Sequence, residues 1–258
     1  MQNNTFSQLF VGQNLITLDS VDSTNSWLKN LLSNSEPLPE GTVILAEDQF
    51  AGRGQKTNTW ASEPGKNLTF SILLKPTFLS PDRQFDLNKA VSLAINDVLF
   101  KYFSKKATIK WPNDSFIDNA KIAGLLIENI IRGEKIKYAI IGLGLNVNQI
   151  NFPEELTNVT SFAKILHKDY DLNILLGEIC SAVEARYLQL KAGKTDKLNS
   201  DYLNRLYLYN KTGSFIVNGI SHKGRICGIS AEGYLQVEME DKIRQFGLKE
   251  IKFNIEES

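Results

Sequence analysis

The sequence predicts a mixed α/β domain over residues 1–206 followed by a small all-β domain over residues 207–258. Three observations point there. Residues 86–103 carry Leu87, Val91, Ala94, Ile95, Val98 and Leu99 at helical spacing. Residues 120–131 and 135–147 are β-rich runs joined by Arg-Gly-Glu, the pattern of a hairpin. After Tyr209 the glycines at 213, 219, 224, 228, 233 and 247 separate short β-type runs such as SFIVNG and YLQVEME, as in a small barrel.

The remaining elements follow in order. Leu15–Leu18 is short and apolar and reads as a first strand. Ser23 or Thr24 then caps a helix with Trp27, Leu28, Leu31 and Leu32 on one face. Gly41 opens the strand TVILAE, and residues 50–59 read as a polar, glycine-containing loop. Residues 67–75 (NLTFSILLK) form a buried strand, and IKW forms another that stops at Pro112. Residues 172–190 and 196–206 are helices broken by KAGK at 191–194.

Bulk properties exclude several function classes. Hydrophobic residues make up 42% and charged residues 22%, as in an ordinary globular protein. Lys plus Arg equals Asp plus Glu at 29 each, which argues against a general nucleic-acid or membrane-surface binder. Cys180 and Cys227 form no C-x-x-C pair, so zinc and redox spacings are absent and a cytoplasmic location is expected. The polar N-terminus is not a secretory signal, and no apolar run approaches a membrane span.

Four clusters carry candidate chemistry. Gly52-Arg53-Gly54-Gln55-Lys56 follows a strand, and glycines there let the backbone approach an anion closely. It is neither a P-loop nor a dinucleotide fingerprint, since Thr57 stands where a third glycine would be; alone it also fits a solvated turn. Lys110-Trp111-Pro112-Asn113-Asp114 presents an amide and a carboxylate at a strand end; alone it also fits an Asn or Asp turn bonded to the backbone. In the run from Lys121 to Glu128, strict alternation puts Lys121 on the side of Ala123, Leu125 and Ile127, and Gly124, Leu126 and Glu128 on the other. That lysine fits either a solvent-facing strand end or a fixed charge in a pocket. Gly142 and Gly144 in a strand mark the close approach of a ligand or another backbone, and Asn146 and Asn148 share a face; a bulge ending in an Asn turn fits equally.

Taken in order, these clusters resemble the signature of the biotin–protein ligases. That family shows S-T-N after its first strand, here Ser23-Thr24-Asn25, and a Q-x-x-G-R-G-R loop then Trp, here Gln49 through Gln55 and Trp60. K-W-P-N-D is intact at 110–114, K-[ILV]-[AG]-G-[IL]-L-x-E at 121–128 and G-[IL]-G-[ILV]-N-x-N at 142–148, and a glycine-spaced SH3-like tail follows. The resemblance covers nearly the whole chain. It implies a catalytic domain of the biotin/lipoate ligase type with a mixed sheet, plus an SH3-like β-barrel.

The resemblance also implies the chemistry. Biotin and ATP, with Mg2+ screening the triphosphate, give biotinyl-5'-AMP, and biotin then passes to a lysine of a biotin carboxyl carrier protein of a biotin-dependent carboxylase. Lys121, Arg53 and Asp114 are the implied catalytic residues, with Lys121 bridging the biotin carboxylate and the α-phosphate. Biotin falls to Ser23, Thr24, Asn25, Gln49, Gly52, Arg53, Gly54, Gln55 and Lys121, and the nucleotide to Lys56, Trp60, Asn113, Lys121 and Asn146. Around Gly142–Gly144 a Cβ would crowd the ligand. No protein metal ligand is assigned, and the chain is expected to be a monomer or homodimer acting on no DNA and no membrane.

Two departures matter. Gln55 replaces the second loop arginine and Thr57 the last glycine, so looser closure over the adenylate is expected. The first catalytic strand begins near residue 14, which predicts a ligase without the DNA-binding repressor domain of some relatives. Rival readings are a lipoate–protein ligase, a binding protein without catalysis, and an interaction module built on the tail.

Overall fold

The computed structural model describes residues 10–34, 38–55 and 58–254. Its first half contains β1 (Leu15–Val21), α1 (Thr24–Asn34), β2 (Val43–Gln49), the two-residue strands β3 (Gly52–Arg53) and β4 (Thr59–Trp60), and β5 (Leu68–Leu74). Then come α2 (Gln84–Phe103), β6 (Ala107–Lys110), β7 (Asp114–Ile117), β8 (Ala120–Arg132) and β9 (Lys135–Leu145). Three helices follow, α3 (Phe162–Leu166), α4 (Leu172–Lys191) and α5 (Thr195–Arg205).

Seven of these strands form one sheet in the order β1-β2-β5-β9-β8-β7-β6. Only β1 and β2 run parallel within it, so the sheet is mixed as expected. The hairpin of β8 and β9 lies near its middle and turns at Gly133, in the left-handed region. β5 is buried along its whole length because α2 covers one face of the sheet and α1 the other.

α2 is more deeply buried than an amphipathic stripe implies. Even Asp86, Asn88, Lys89 and Asn96 are inside, because α4, α5 and the C-terminal sheet wrap the side away from the strands. Lys89 is held there by Asp86 at 2.7 Å and by Asn199. α1 begins at Thr24, with the Ser23 carbonyl accepting from the Trp27 amide at 2.9 Å, and buries Leu28 against Ile44, Leu73 and Ile140.

Three sequence expectations need correction. The strand read as IKW ends at Lys110, residues 111–113 form the turn, and a strand the sequence reading did not name, β7, follows from Asp114. The supposed loop at 50–59 is a narrow hairpin, with Gly52 opposite Trp60 and Arg53 opposite Thr59. The tail is not a closed barrel: β10 (Thr212–Val217), β11 (Ile220–Ile229), β12 (Leu235–Met239), β13 (Lys242–Phe246) and β14 (Ile251–Phe253) form an open antiparallel sheet. Its order is β13-β12-β11-β10-β14, and among the described residues the edge strands β13 and β14 do not pair. The α/β part of the chain packs against the inner face of this sheet, where Phe215, Ile226, Leu235 and Val237 join the main core.

That covering is specific. The Trp111 indole donates to the Gly233 carbonyl at 3.0 Å. Gly233 has φ +98°, and a Cβ there would lie 2.4 Å from the Phe85 ring, so both backbone and packing require glycine. Among the described residues no helix is long and apolar enough to cross a membrane.

Candidate active site

One cavity gathers most of the singled-out residues. Ser23, Thr24, Asn25, Gln49, Arg53, Gly54, Gln55, Trp60, Asn113, Asp114 and Lys121 all line it. Its volume is about 110 Å³.

One set of groups is a network of hydroxyls and amides at the start of α1. The Thr24 amide donates to Gln49 Oε1 at 2.9 Å. Ser71 Oγ, from β5, lies 2.7 Å from Thr24 Oγ1 and 2.6 Å from Asn25 Oδ1. Asn25 Nδ2 donates to Glu128 Oε2 at 2.9 Å and to the Leu126 carbonyl at 3.2 Å. Buried polar groups persist only when paired, so this network holds each side chain in one orientation.

A charged set of groups adjoins this network and meets it at Glu128. Lys121 Nζ meets Asp114 Oδ1 at 2.8 Å, and Arg53 Nη2 meets Glu128 Oε2 at 2.8 Å. Lys121 and Arg53 are thus each paired with a carboxylate, and Glu128 also lies 3.8 Å from Lys29 Nζ. The backbone of Lys121 is also clamped, donating to the Asn158 carbonyl at 2.7 Å and accepting from the Thr160 amide at 2.9 Å.

Strict alternation misplaces Lys121. The register between β7 and β8 shifts at Ser115/Phe116, so that Ser115 pairs with Ala123 but Phe116 with Lys121. This bulge turns Lys121 onto the face of Gly124, where its Nζ would lie 3.2 Å from a Cβ. The solvent-facing alternative is thereby excluded.

The strand glycines serve side chains of the protein itself. A Cβ on Gly142 would lie 2.5 Å from Asn25 Oδ1, and one on Gly144 2.2 Å from the Trp60 indole. Gly124 is the cross-strand partner of Gly144, so the two make a flat floor for that indole. Gly52 likewise makes room for the Trp60 carbonyl, 2.4 Å from a Cβ, and does not line the cavity. Gly124, Gly142 and Gly144 also line the cavity, so a Cβ at any of them would narrow it as well as crowd these side chains, whereas Gly52 stands outside the lining.

Other assignments divide. Asn113 is buried, donates to Asn88 Oδ1 at 3.0 Å and accepts from Gln55 Nε2 at 3.2 Å, which links the two loops across the cavity. A turn bonded only to its own backbone is therefore not what it forms. Asn146 does not line the cavity; it donates to the Thr160 carbonyl at 3.0 Å, while its Oδ1 is buried with no partner among the described residues. The Trp60 Nε1 donor is in the same condition. Lys56 and Thr57 lie outside the described residues.

Lys110 and Glu128 stand within the singled-out clusters but were assigned no site role from the sequence, and Ser71 was not singled out. Glu128 was legible in principle, since it shares the alternation of Gly124 and Leu126. Lys110 stands opposite Asp114 in the β6–β7 register, with Nζ 4.9 Å from the Phe116 ring centre and 5.2 Å from that of Phe253 in β14. Burial pushes its ammonium below the usual lysine range, Asp114 opposes that and Lys121 reinforces it.

Comparisons with known proteins agree with one another. A family model described as the biotin/lipoate A/B protein ligase family matches residues 17–146. The bifunctional ligase/repressor BirA of Bacillus spizizenii is 30% identical over 240 residues, covering 91% of this chain and 72% of that protein. The biotin–[acetyl-CoA-carboxylase] ligase of Mycobacterium tuberculosis is 28% identical over 194 residues, covering 73% of this chain and 70% of that protein. Among solved structures, biotin protein ligase from Aquifex aeolicus in complex with biotin and ATP superposes with a TM-score of 0.77 at 26% identity, covering 93% of this chain and 97% of that one.

Proposed function

Because this chain belongs to the biotin/lipoate A/B protein ligase family, we propose that it activates biotin as biotinyl-5'-AMP and transfers biotin to a lysine of a biotin carboxyl carrier protein. The observation that carries the reading is one cavity that joins two unlike sets of groups: a hydroxyl–amide network at Ser23–Asn25 and Gln49, and a cationic, aromatic set at Lys121, Arg53 and Trp60.

The chemistry follows from that division. The ureido ring of biotin needs donors and acceptors fixed in place, as in the first set. The carboxylate must reach the α-phosphate of ATP, two anions that repel, and fixed positive charge at phosphorus lowers that barrier. Lys121 supplies it, and the Asp114 ion pair holds Nζ in position. The exposed face of the Trp60 indole offers a stacking surface for adenine. In the second step the deprotonated amine of the carrier lysine forms a bond to the acyl carbon. The C–O bond to phosphate breaks, AMP leaves with its electron pair, and the amine proton goes to solvent.

Mg2+ would enter with the nucleotide and screen its phosphates. The described residues hold no cluster of three or more His, Cys, Asp or Glu, and magnesium is commonly held largely by substrate phosphates and water.

The test is the intact mass of an apo carrier domain after incubation with this protein, ATP, Mg2+ and equimolar biotin and lipoate. One biotin added, with the rate falling about 100- to 1,000-fold in Lys121→Ala, is expected. A lipoate adduct, or a biotin adduct indifferent to Lys121→Ala, would overturn the reading.

A further inference from the structure

A second cleft, about 480 Å³ in volume, lies between the catalytic domain and the C-terminal sheet. The start of α2, the Trp111–Asn113 segment and β8 form one wall, and the turns at 232–234 and 247–248 form the other. We propose that this cleft receives the lysine-bearing segment of the acceptor protein, a proposal that rests on the ligase reading above.

Continuity is the first argument. Gln55, Pro112, Asn113 and Leu126 line both the cleft and the candidate active-site cavity. The Gln55–Asn113 hydrogen bond, 3.2 Å long, spans the shared boundary. A side-chain hydrogen bond therefore stands between the cleft and the cavity in which the acyl-adenylate would form.

Charge is the second argument, and it separates the acceptor from the nucleotide. The lining contains no Lys and no Arg, so nothing there would hold a triphosphate. Its ionisable group is Glu232, fully exposed on the rim and held below the usual carboxylate range by its hydrogen bond to Ser230. An incoming ammonium is attracted there, whereas a phosphate is repelled.

The interior is the third argument. Phe85, Trp111, Leu126 and Ile127 offer apolar walls suited to the methylene stem of a lysine. Asn129 also lines the cleft: its Nδ2 donates to Gln84 Oε1 at 3.1 Å, while its Oδ1 is buried with no partner among the described residues. An acceptor left without a donor is costly unless something supplies one, and an amine or a peptide N–H does. Tyr234 and Leu248 stand on the C-terminal rim, 46% and 43% exposed, as large apolar side chains that a partner would cover. The opposing walls are locked together by the Trp111–Gly233 bond and the packing of Phe85 on Gly233, so the cleft is preformed.

The experiment uses the full chain with Glu232→Lys and, separately, Leu248→Asp, both at exposed rim positions. Two rates are measured: biotin-dependent pyrophosphate release without acceptor, and biotin transfer as a function of apo carrier-domain concentration. The expected result is a KM for the carrier raised tenfold or more in each variant, with pyrophosphate release within twofold of wild type. A carrier KM within twofold of wild type in both variants, while wild type is active, would overturn the docking proposal alone. Pyrophosphate release falling in step with transfer would overturn it too, by assigning the cleft to the first step. A wild-type protein that released no pyrophosphate with biotin would overturn the ligase reading, and the docking proposal with it.

Discussion

The two faces of the β8–β9 hairpin are built from the same residues in alternation and do opposite work. On one face Ala123, Leu125, Ile141, Leu143 and Leu145 interlock in the main core beneath α2. On the other face Gly124 pairs with Gly144, and Gly142 stands beside them, leaving a floor without side chains. The first face contributes apolar burial, and the second contributes space, filled by Asn25 and Trp60 from distant elements. Stability and ligand geometry are therefore encoded one residue apart in the same strands, and substitutions at neighbouring positions should separate them.

Leu145→Ala tests the packed face and carries the largest expected effect. Leu145 is fully buried, and its truncation should cost about 2–5 kcal/mol in denaturant unfolding with KM for ATP unchanged. A large KM change with unaltered stability would break the comparison. Gly144→Val tests the open face. Its Cβ would fall 2.2 Å from the indole, so Trp60 must leave its floor; KM for ATP should rise about 10-fold, or about 1.4 kcal/mol, with the larger loss in binding rather than in unfolding midpoint. Steady-state kinetics beside a melting curve decide it.

Gln55→Arg should produce the smallest effect and sharpen the account of the hairpin that carries Trp60. Gln55 makes one neutral bond to Asn113, and a charge-assisted bond to phosphate is roughly twice as strong. Dissociation of the adenylate should slow about 5-fold, corresponding to ~1 kcal/mol. Equal dissociation rates of the two proteins would show that closure does not depend on this position.

Much of the catalytic domain was legible in the sequence because its signals are local. The apolar spacing of residues 86–103 specifies a helix wherever it packs, and Arg-Gly-Glu turns a hairpin whatever surrounds it. β7 was missed because four residues after a proline carry too little pattern to outweigh turn chemistry. The barrel was over-read because glycines between short strands describe a sheet without saying whether its edges meet.

The sequence by itself determined which elements form, the family signature and most of the side chains that meet in the cavity. Tertiary structure alone decided how they are aimed. Lys121 faces Gly124 because β7 and β8 slip register by one residue, which strict alternation within β8 does not reveal. Arg53 is held by a carboxylate 75 positions away, and the same carboxylate holds Asn25 across 103 positions. Backbone periodicity is a property of neighbours along the chain, whereas ion pairs, bulges and domain clefts depend on which distant strands come to lie side by side.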